Sequence, residues 1–204
     1  MTELPLIPPP PFDSMEDSFV VLGRFQPFHK GHAAMIKSAE DFRSEKYPSL
    51  NLVIAIGSSN RPQTLQNPWS HNERAEMISS WLRNEENIDA KIVSIPDIDD
   101  PPNWVSHAEA YHGPSSVFFS SDDYSRKLYQ DSGWITVSTP LVDRSRLEGW
   151  RVRETARMLS TINNEEAIRM ILGESIPESV VEYLLSNDSL KRLAFLGEGG
   201  EPVG

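Results

Sequence analysis

The chain has 204 residues, 38% of them hydrophobic, which suits one compact domain with a full core. Nineteen Lys and Arg stand against 30 Asp and Glu, a formal net charge of −11, so the chain lacks the basic face expected of a nucleic-acid binder. The absence of cysteine excludes disulfides and cysteine catalysis. No stretch nears the roughly 20 apolar residues that span a bilayer, and the N-terminus lacks a signal-peptide pattern, so a cytoplasmic protein is expected.

Met1 to Asp17 holds Pro5 and the run Pro8 to Pro11, a composition that favours extended, solvated backbone and predicts a disordered or loosely docked tail. Phe19 to Leu22 reads as the first strand. It leads into Gly23-Arg24-Phe25-Gln26-Pro27-Phe28-His29-Lys30-Gly31-His32, and an amphipathic pattern (Met35, Ile36, Ala39, Phe42) follows. The ten residues are therefore a strand-to-helix junction. Unpaired N–H groups and the positive end of the helix dipole make such a junction suitable for a phosphate. His29 and His32, three apart, share one side of the opening turn. Gly31 removes a side chain where a ligand could approach, and Arg24 adds a forked, permanent cation. A helix cap with two surface histidines is the plainer reading, but capping does not call for Arg, Gln and two His together. A zinc site is not supported either, because His71, His107 and His112 form no ligand cluster by spacing.

Beyond this junction the helix is expected to run to about Glu45. Leu50 to Ile56 is a nearly continuous apolar run, the mark of a strand buried on both faces of a parallel sheet, and Gly57 to Asn60 ends it at the edge where α/β folds bind ligands. Ser70 with Glu73 forms a capping-box pattern ahead of a helix expected to bury Ala75, Met77, Ile78, Trp81 and Leu82. Ala90 to Ile95 is the third strand, followed by Pro96-Asp97-Ile98 and a short helix starting near Asn103. Ser115 to Ser120 and Gly133 to Val137 are the fourth and fifth strands, with a helix capped by Ser121-Asp122-Asp123 between them. Alternating strands and helices predict an α/β protein, a Rossmann-like three-layer α/β/α sandwich with a parallel sheet of about five strands and right-handed crossovers. A C-terminal helical segment is expected over 154–162, 165–174, 176–184 and 188–196. The expected organisation is a tail over 1–17, an α/β domain over 18–146, helices over 147–197 packed on the same domain, and a tail over 198–204.

The junction string, with His-x-Gly-His after a first strand, resembles the archaeal-type nicotinamide-nucleotide adenylyltransferases of the nucleotidyltransferase superfamily. The likeness continues in Asn67-Pro68-Trp69 with Glu73-Arg74, in Pro96-Asp97-Ile98 followed by Trp104-Val105, and in the arginine-rich Arg144 to Arg153, covering about 18–196. Neither a Walker loop nor a Gly-x-Gly-x-x-Gly string is present, so phosphate binding would rest on the histidine turn. The resemblance implies transfer of an adenylyl group from ATP to nicotinamide mononucleotide, giving NAD and pyrophosphate. It implies catalytic roles for His29, His32 and Arg153, and an ATP site involving Gly23, Arg24, Phe25, Gln26, Gly31 and Arg146. It places the mononucleotide against Asn67, Arg74, Asp97, Trp104 and Asp122, with Trp104 as a platform for the nicotinamide. It further implies Mg2+ held mainly by substrate phosphates, with no dedicated protein metal site, and a homo-oligomer that binds neither nucleic acid nor membrane.

Glu148 and Trp150 stand where the family carries hydroxyl residues. A carboxylate facing a triphosphate would weaken binding unless it turns away or meets a metal or an arginine. A different register would put the family's arginine at Arg169; the ungapped match from Pro140 favours Arg153. These departures keep two other readings in play: a nucleotidyltransferase with another phosphorylated acceptor, and a catalytically weakened homologue that binds nucleotide as a sensor or scaffold.

Overall fold

Strand β1 (Ser18–Gly23) is the centre of a parallel five-stranded sheet whose order is β3-β2-β1-β4-β5, with β2 at Asn51–Ile56, β3 at Lys91–Ser94, β4 at Val117–Ser120 and β5 at Ile135–Ser138. The computed structural model describes residues 4–11, 16–114, 116–139 and 147–196. Every neighbouring pair is parallel, and β1 pairs with both β2 and β4. The chain builds β2 and β3 on one side of β1, then crosses to build β4 and β5 on the other. That reversal makes a topological switch point at the carboxyl ends of β1 and β4, the place where open α/β sheets hold ligands.

Two compact units are distinguished by their internal contacts. The first comprises residues 1–24, 35–61 and 89–141, and the second 25–34, 62–88 and 142–204. In the first unit the three inner strands β1, β2 and β4 are buried on both faces, which explains their apolar runs, whereas the edge strands β3 and β5 are partly exposed. Phe19 and Phe119 on one face pack against Phe42 of helix α1 (Lys30–Lys46). On the other face Val20, Val53, Ala55 and Phe118 meet α3 (Trp104–His112) and α4 (Asp123–Asp131) through Val105, Ala108 and Tyr129. Phe118 and Tyr129 stack with ring centroids 3.8 Å apart. The expected helix–sheet–helix layering is thus present in this unit.

Buried polar groups on that face are paired. His112 Nδ1 lies 2.9 Å from the Gly113 carbonyl, which can only accept, so the proton sits there and Nε2 accepts from Tyr129 Oη at 2.7 Å. The proline-rich segment is also tied down: the Ser59 hydroxyl donates to Ile7 O at 2.7 Å and the Tyr111 hydroxyl to Pro8 O at 3.1 Å.

The second unit contains α2 (His71–Trp81), α5 (Gly149–Leu159), α6 (Glu165–Leu172) and α7 (Glu178–Ser186), together with the opening residues of α1. The capping box at Ser70 and Glu73 is present with both bonds made. Helix α5 begins at Gly149, five residues earlier than the sequence pattern suggested. Gly149 and Trp150 are poor helix signals, but Val152, Ala156 and Leu159 recur at helical spacing and are buried together, and packing outweighs local propensity.

Candidate active site

The histidine turn lies in the second unit and opens α1. The Gly31 main-chain N–H donates to His29 Nδ1 at 3.2 Å, and the His29 N–H donates to His32 Nδ1 at 3.3 Å. A nitrogen that accepts a hydrogen bond carries no proton, so each neutral ring bears its hydrogen on Nε2. The turn therefore fixes both tautomers and supplies two imidazole N–H donors. The rings stack with centroids 3.6 Å apart, and Phe25 meets the His32 ring edge-on at 4.9 Å. Phe25 is buried, with a left-handed φ of 50°.

The expectation of unpaired amides at this helix start is not met. Lys30 N–H donates to Ser175 O and His32 N–H to His29 O, while those of His29 and Gly31 serve the imidazoles. A short helix opening folded back on its own side chains spends these donors locally. Gly31 is explained by the same geometry. A Cβ there would lie 3.0 Å from His29 Cε1 and 3.1 Å from Nδ1. The missing side chain makes room for the catalytic candidate's own ring.

Burial, reinforced by the positive charge of Arg153, lowers the His29 pKa to about 4. Burial and its neighbour His29 hold His32 well below the ordinary value. Both imidazoles are neutral near pH 7. Arg153 sits in the second turn of α5 and donates from Nη1 to Gln26 O at 2.7 Å, closing against the turn from the far end of the sequence. Gly149 allows that approach, since a Cβ there would be 3.3 Å from Arg153 Nη1. Arg169, the other register, is instead engaged with Glu165 and Glu182. Glu148 is met by the Trp150 indole N–H at 2.9 Å and by Arg151 at 3.2 Å, and Arg151 also lies over the Trp150 ring. The carboxylate thus meets an arginine.

Other sequence candidates have structural work. Gln26 is buried and clamps Trp69 by two bonds, Nε2 to Trp69 O at 2.7 Å and Trp69 N to Oε1 at 3.1 Å. Asn67 closes a tight turn with Thr64. Arg74 is 1% exposed and donates from Nε to Ser70 O at 3.2 Å. Arg146 lies outside the described residues.

The first unit carries a cleft of about 580 Å³ at the switch point. Gly23 and Arg24 line it from the end of β1, Gly57 and Ser58 from β2, Ser120 and Asp122 from β4, and Asp97 through Pro101 with Trp104 from the segment after β3. Three of the sequence candidates, Asp97, Trp104 and Asp122, are brought together here with Gly23 and Arg24. Asp97 is held tightly: Asn60 bonds to both its main-chain groups at 2.8 and 2.9 Å, and Arg61 Nε reaches its carboxylate at 2.6 Å. His107 Nε2 donates to Pro96 O at 2.9 Å and fixes the preceding residue. Asn60, Arg61 and His107 were not among the sequence candidates. Only the position of Asn60 and Arg61 just past β2 hinted at them.

The cytidylyltransferase-like family model matches residues 20–163. The chain is 32% identical to the nicotinamide-nucleotide adenylyltransferase of Thermoplasma volcanium, across 90% of this chain and 94% of that one. It is 30% identical to the enzyme of the same name from Haloarcula marismortui, across 87% and 92%. Among solved structures, a bifunctional NMN adenylyltransferase/ADP ribose pyrophosphatase from Francisella tularensis has the same fold, with a TM-score of 0.61 at 20% identity; 88% of this chain is covered, but only 52% of the Francisella one. The Plasmodium falciparum nicotinic acid mononucleotide adenylyltransferase matches with a TM-score of 0.52 at 9% identity, covering 86% and 98%. With a histidine turn of fixed tautomers, a cleft at the sheet's switch point and relatives matched along nearly their whole length, the chain belongs to the nicotinamide-nucleotide adenylyltransferase family of cytidylyltransferase-like proteins.

Proposed function

We infer that the protein joins ATP and nicotinamide mononucleotide to give NAD and pyrophosphate. An oxygen of the mononucleotide's 5′-phosphate attacks the α-phosphorus of ATP. The new P–O bond forms as the bond to the β-phosphate bridge breaks, and pyrophosphate leaves with the electron pair. A phosphate oxygen is already a nucleophile at neutral pH, so the reaction needs alignment and charge stabilisation rather than a general base.

The observation that carries this reading is the pair of imidazoles whose Nδ1 atoms are occupied by the turn's own amides. Their Nε2–H groups would donate to the α- and β-phosphates, His32 nearest the reacting phosphorus, and Arg153 would hold the β- and γ-phosphates and the departing pyrophosphate. The switch-point cleft would take the mononucleotide, with the Trp104 ring as a platform for the cationic nicotinamide. Gly23 and Arg24 would lie along the ATP, and Gly31 lets the His29 ring occupy its place.

The Francisella protein was solved with AMP and a manganese ion, which supports the use of a divalent cation. Magnesium is the ion proposed here, carried by substrate phosphates and water. Among the described residues no group of three or more His, Cys, Asp or Glu could hold a metal, so no side chain is assigned to it. Among them, too, no helix is long and apolar enough to cross a membrane. A cytoplasmic location and assembly into a homo-oligomer are part of the same proposal.

His32→Ala tests the assignment. Turnover measured as pyrophosphate release and NAD formation should fall by about two to three orders of magnitude, the scale of losing one positioned donor. Near-normal turnover with both substrates would reject the role given to the histidine turn.

A further inference from the structure

The switch-point cleft contains a cation with two of its three guanidinium nitrogens engaged by carboxylates. Arg61 lines the cleft, yet its Nε is bound to Asp97 at 2.6 Å and its Nη2 is paired with Asp99. Asp99 is exposed and sits with φ at 52°, a left-handed conformation that aspartate tolerates, and its carboxylate accepts from Arg61. Four aspartates (97, 99, 100 and 122) line the cleft against two arginines (24 and 61), so its lining is formally negative.

We propose that Asp99, by holding the outer arm of the Arg61 guanidinium, sets the choice between amide and acid mononucleotides and makes the protein select nicotinamide over nicotinate. This rests on the reading that the cleft takes the mononucleotide. The two substrates share a cationic pyridinium and differ in one substituent, a neutral carboxamide or a carboxylate. A negative cleft attracts the ring of both but repels the carboxylate of one. The feature that would reverse the preference is a guanidinium fork presented to that carboxylate. Arg61 has such a fork in position, and Asp99 occupies its Nη2 arm. Asp97 anchors the inner nitrogen, so loss of Asp99 alone would leave the guanidinium aligned with its outer arm released.

Asp99→Asn is the informative variant, because asparagine tolerates the left-handed backbone and is close in size. The ratio of kcat/KM for nicotinamide mononucleotide to that for nicotinate mononucleotide is read with ATP saturating. The wild type should favour the amide by about tenfold or more, and Asp99→Asn should move the ratio about tenfold towards the acid. Arg61→Gln should move it the other way by stripping the cation from two carboxylates. The double variant should lose the gain of Asp99→Asn. Equal use of both substrates by the wild type would overturn the proposal, as would an unchanged ratio in Asp99→Asn and Arg61→Gln. An active enzyme with an insensitive ratio sinks only this inference. No dinucleotide from either substrate sinks the proposed function and this inference with it.

Discussion

Gly31→Ala should separate catalysis from stability. Gly31 is the second residue of α1, and none of its backbone requirements calls for glycine: only Gly113 and Gly133 have positive φ among the described glycines. In a helix, alanine is favoured over glycine by about 1 kcal/mol. Against this stands one contact, the new Cβ at 3.0 Å from His29 Cε1 and 3.1 Å from Nδ1, with Leu147 Cβ at 3.3 Å. Those separations are short by a few tenths of an ångström, so the imidazole must tilt away and weaken the Gly31 N–H bond that fixes its tautomer. The helix gain and the local crowding are similar in size, so unfolding by denaturant should shift by less than about 1 kcal/mol. A donor displaced by a fraction of an ångström, however, costs about tenfold to a hundredfold in rate when catalysis is mainly alignment. Chemical denaturation and initial rates of pyrophosphate release provide the two readouts. A variant with normal kcat would refute the claim that Gly31 exists to seat the His29 ring. One that loses several kcal/mol would show that the glycine serves the fold instead.

Two further outcomes follow from the same geometry. The folded His29 titrates at about 4 against an ordinary 6.5, so its contribution is fully present above pH 6.5 and is lost as pH falls towards 4, where the unfolded chain takes the proton first. At pH 5 this difference is worth about 2 kcal/mol, and a His29→Gln variant should show that much less acid destabilisation between pH 7.5 and 5 in urea titrations; equal losses in both proteins would contradict the buried neutral imidazole. Arg153→Ala should raise the KM for ATP and lower turnover by about two orders of magnitude, whereas Arg169→Ala, which only breaks an ion pair with Glu165 and Glu182, should leave both within about twofold; the reverse pattern would move the phosphate-binding arginine to the other register.

The middle of the sheet was legible because β1, β2 and β4 are buried on both faces and so appear as apolar runs. The runs at 19–22 and 50–56 resolve into β1 and β2 with shifts of a residue or so. The histidine turn was legible because two His, Gly and Arg in ten residues have no structural reason to occur together. What the sequence could not show was which imidazole nitrogens the turn's own amides occupy. That depends on amides reaching Nδ1 atoms two and three residues away, a matter of ångströms rather than of pattern. Gln26 illustrates the same limit. Its place in the motif suggested ATP, yet its amide is committed to both main-chain groups of Trp69, 43 residues on. Asn60 and Arg61 were only hinted at by their position, for the converse reason: two ordinary polar residues after a strand acquire meaning only when the segment after β3 returns beside them.

These polar clamps share a physical purpose. Gln26 pins Trp69, Asn60 pins Asp97, and the turn's amides pin His29 and His32; in each case a partner supplies hydrogen bonds that would otherwise come from water or go unmade. An acidic chain that handles a polyanionic substrate cannot rely on a broad positive field to draw it in, so recognition must come from a few donors fixed in direction. Neutral imidazoles suit that role, because they give directed N–H bonds without the desolvation cost of a buried cation, and Arg153 supplies the charge beside them. If alignment is the main source of rate, the groups that hold the donors should matter almost as much as the donors themselves, since a loosened clamp and a missing ligand contact both enlarge the volume that the reacting atoms must search.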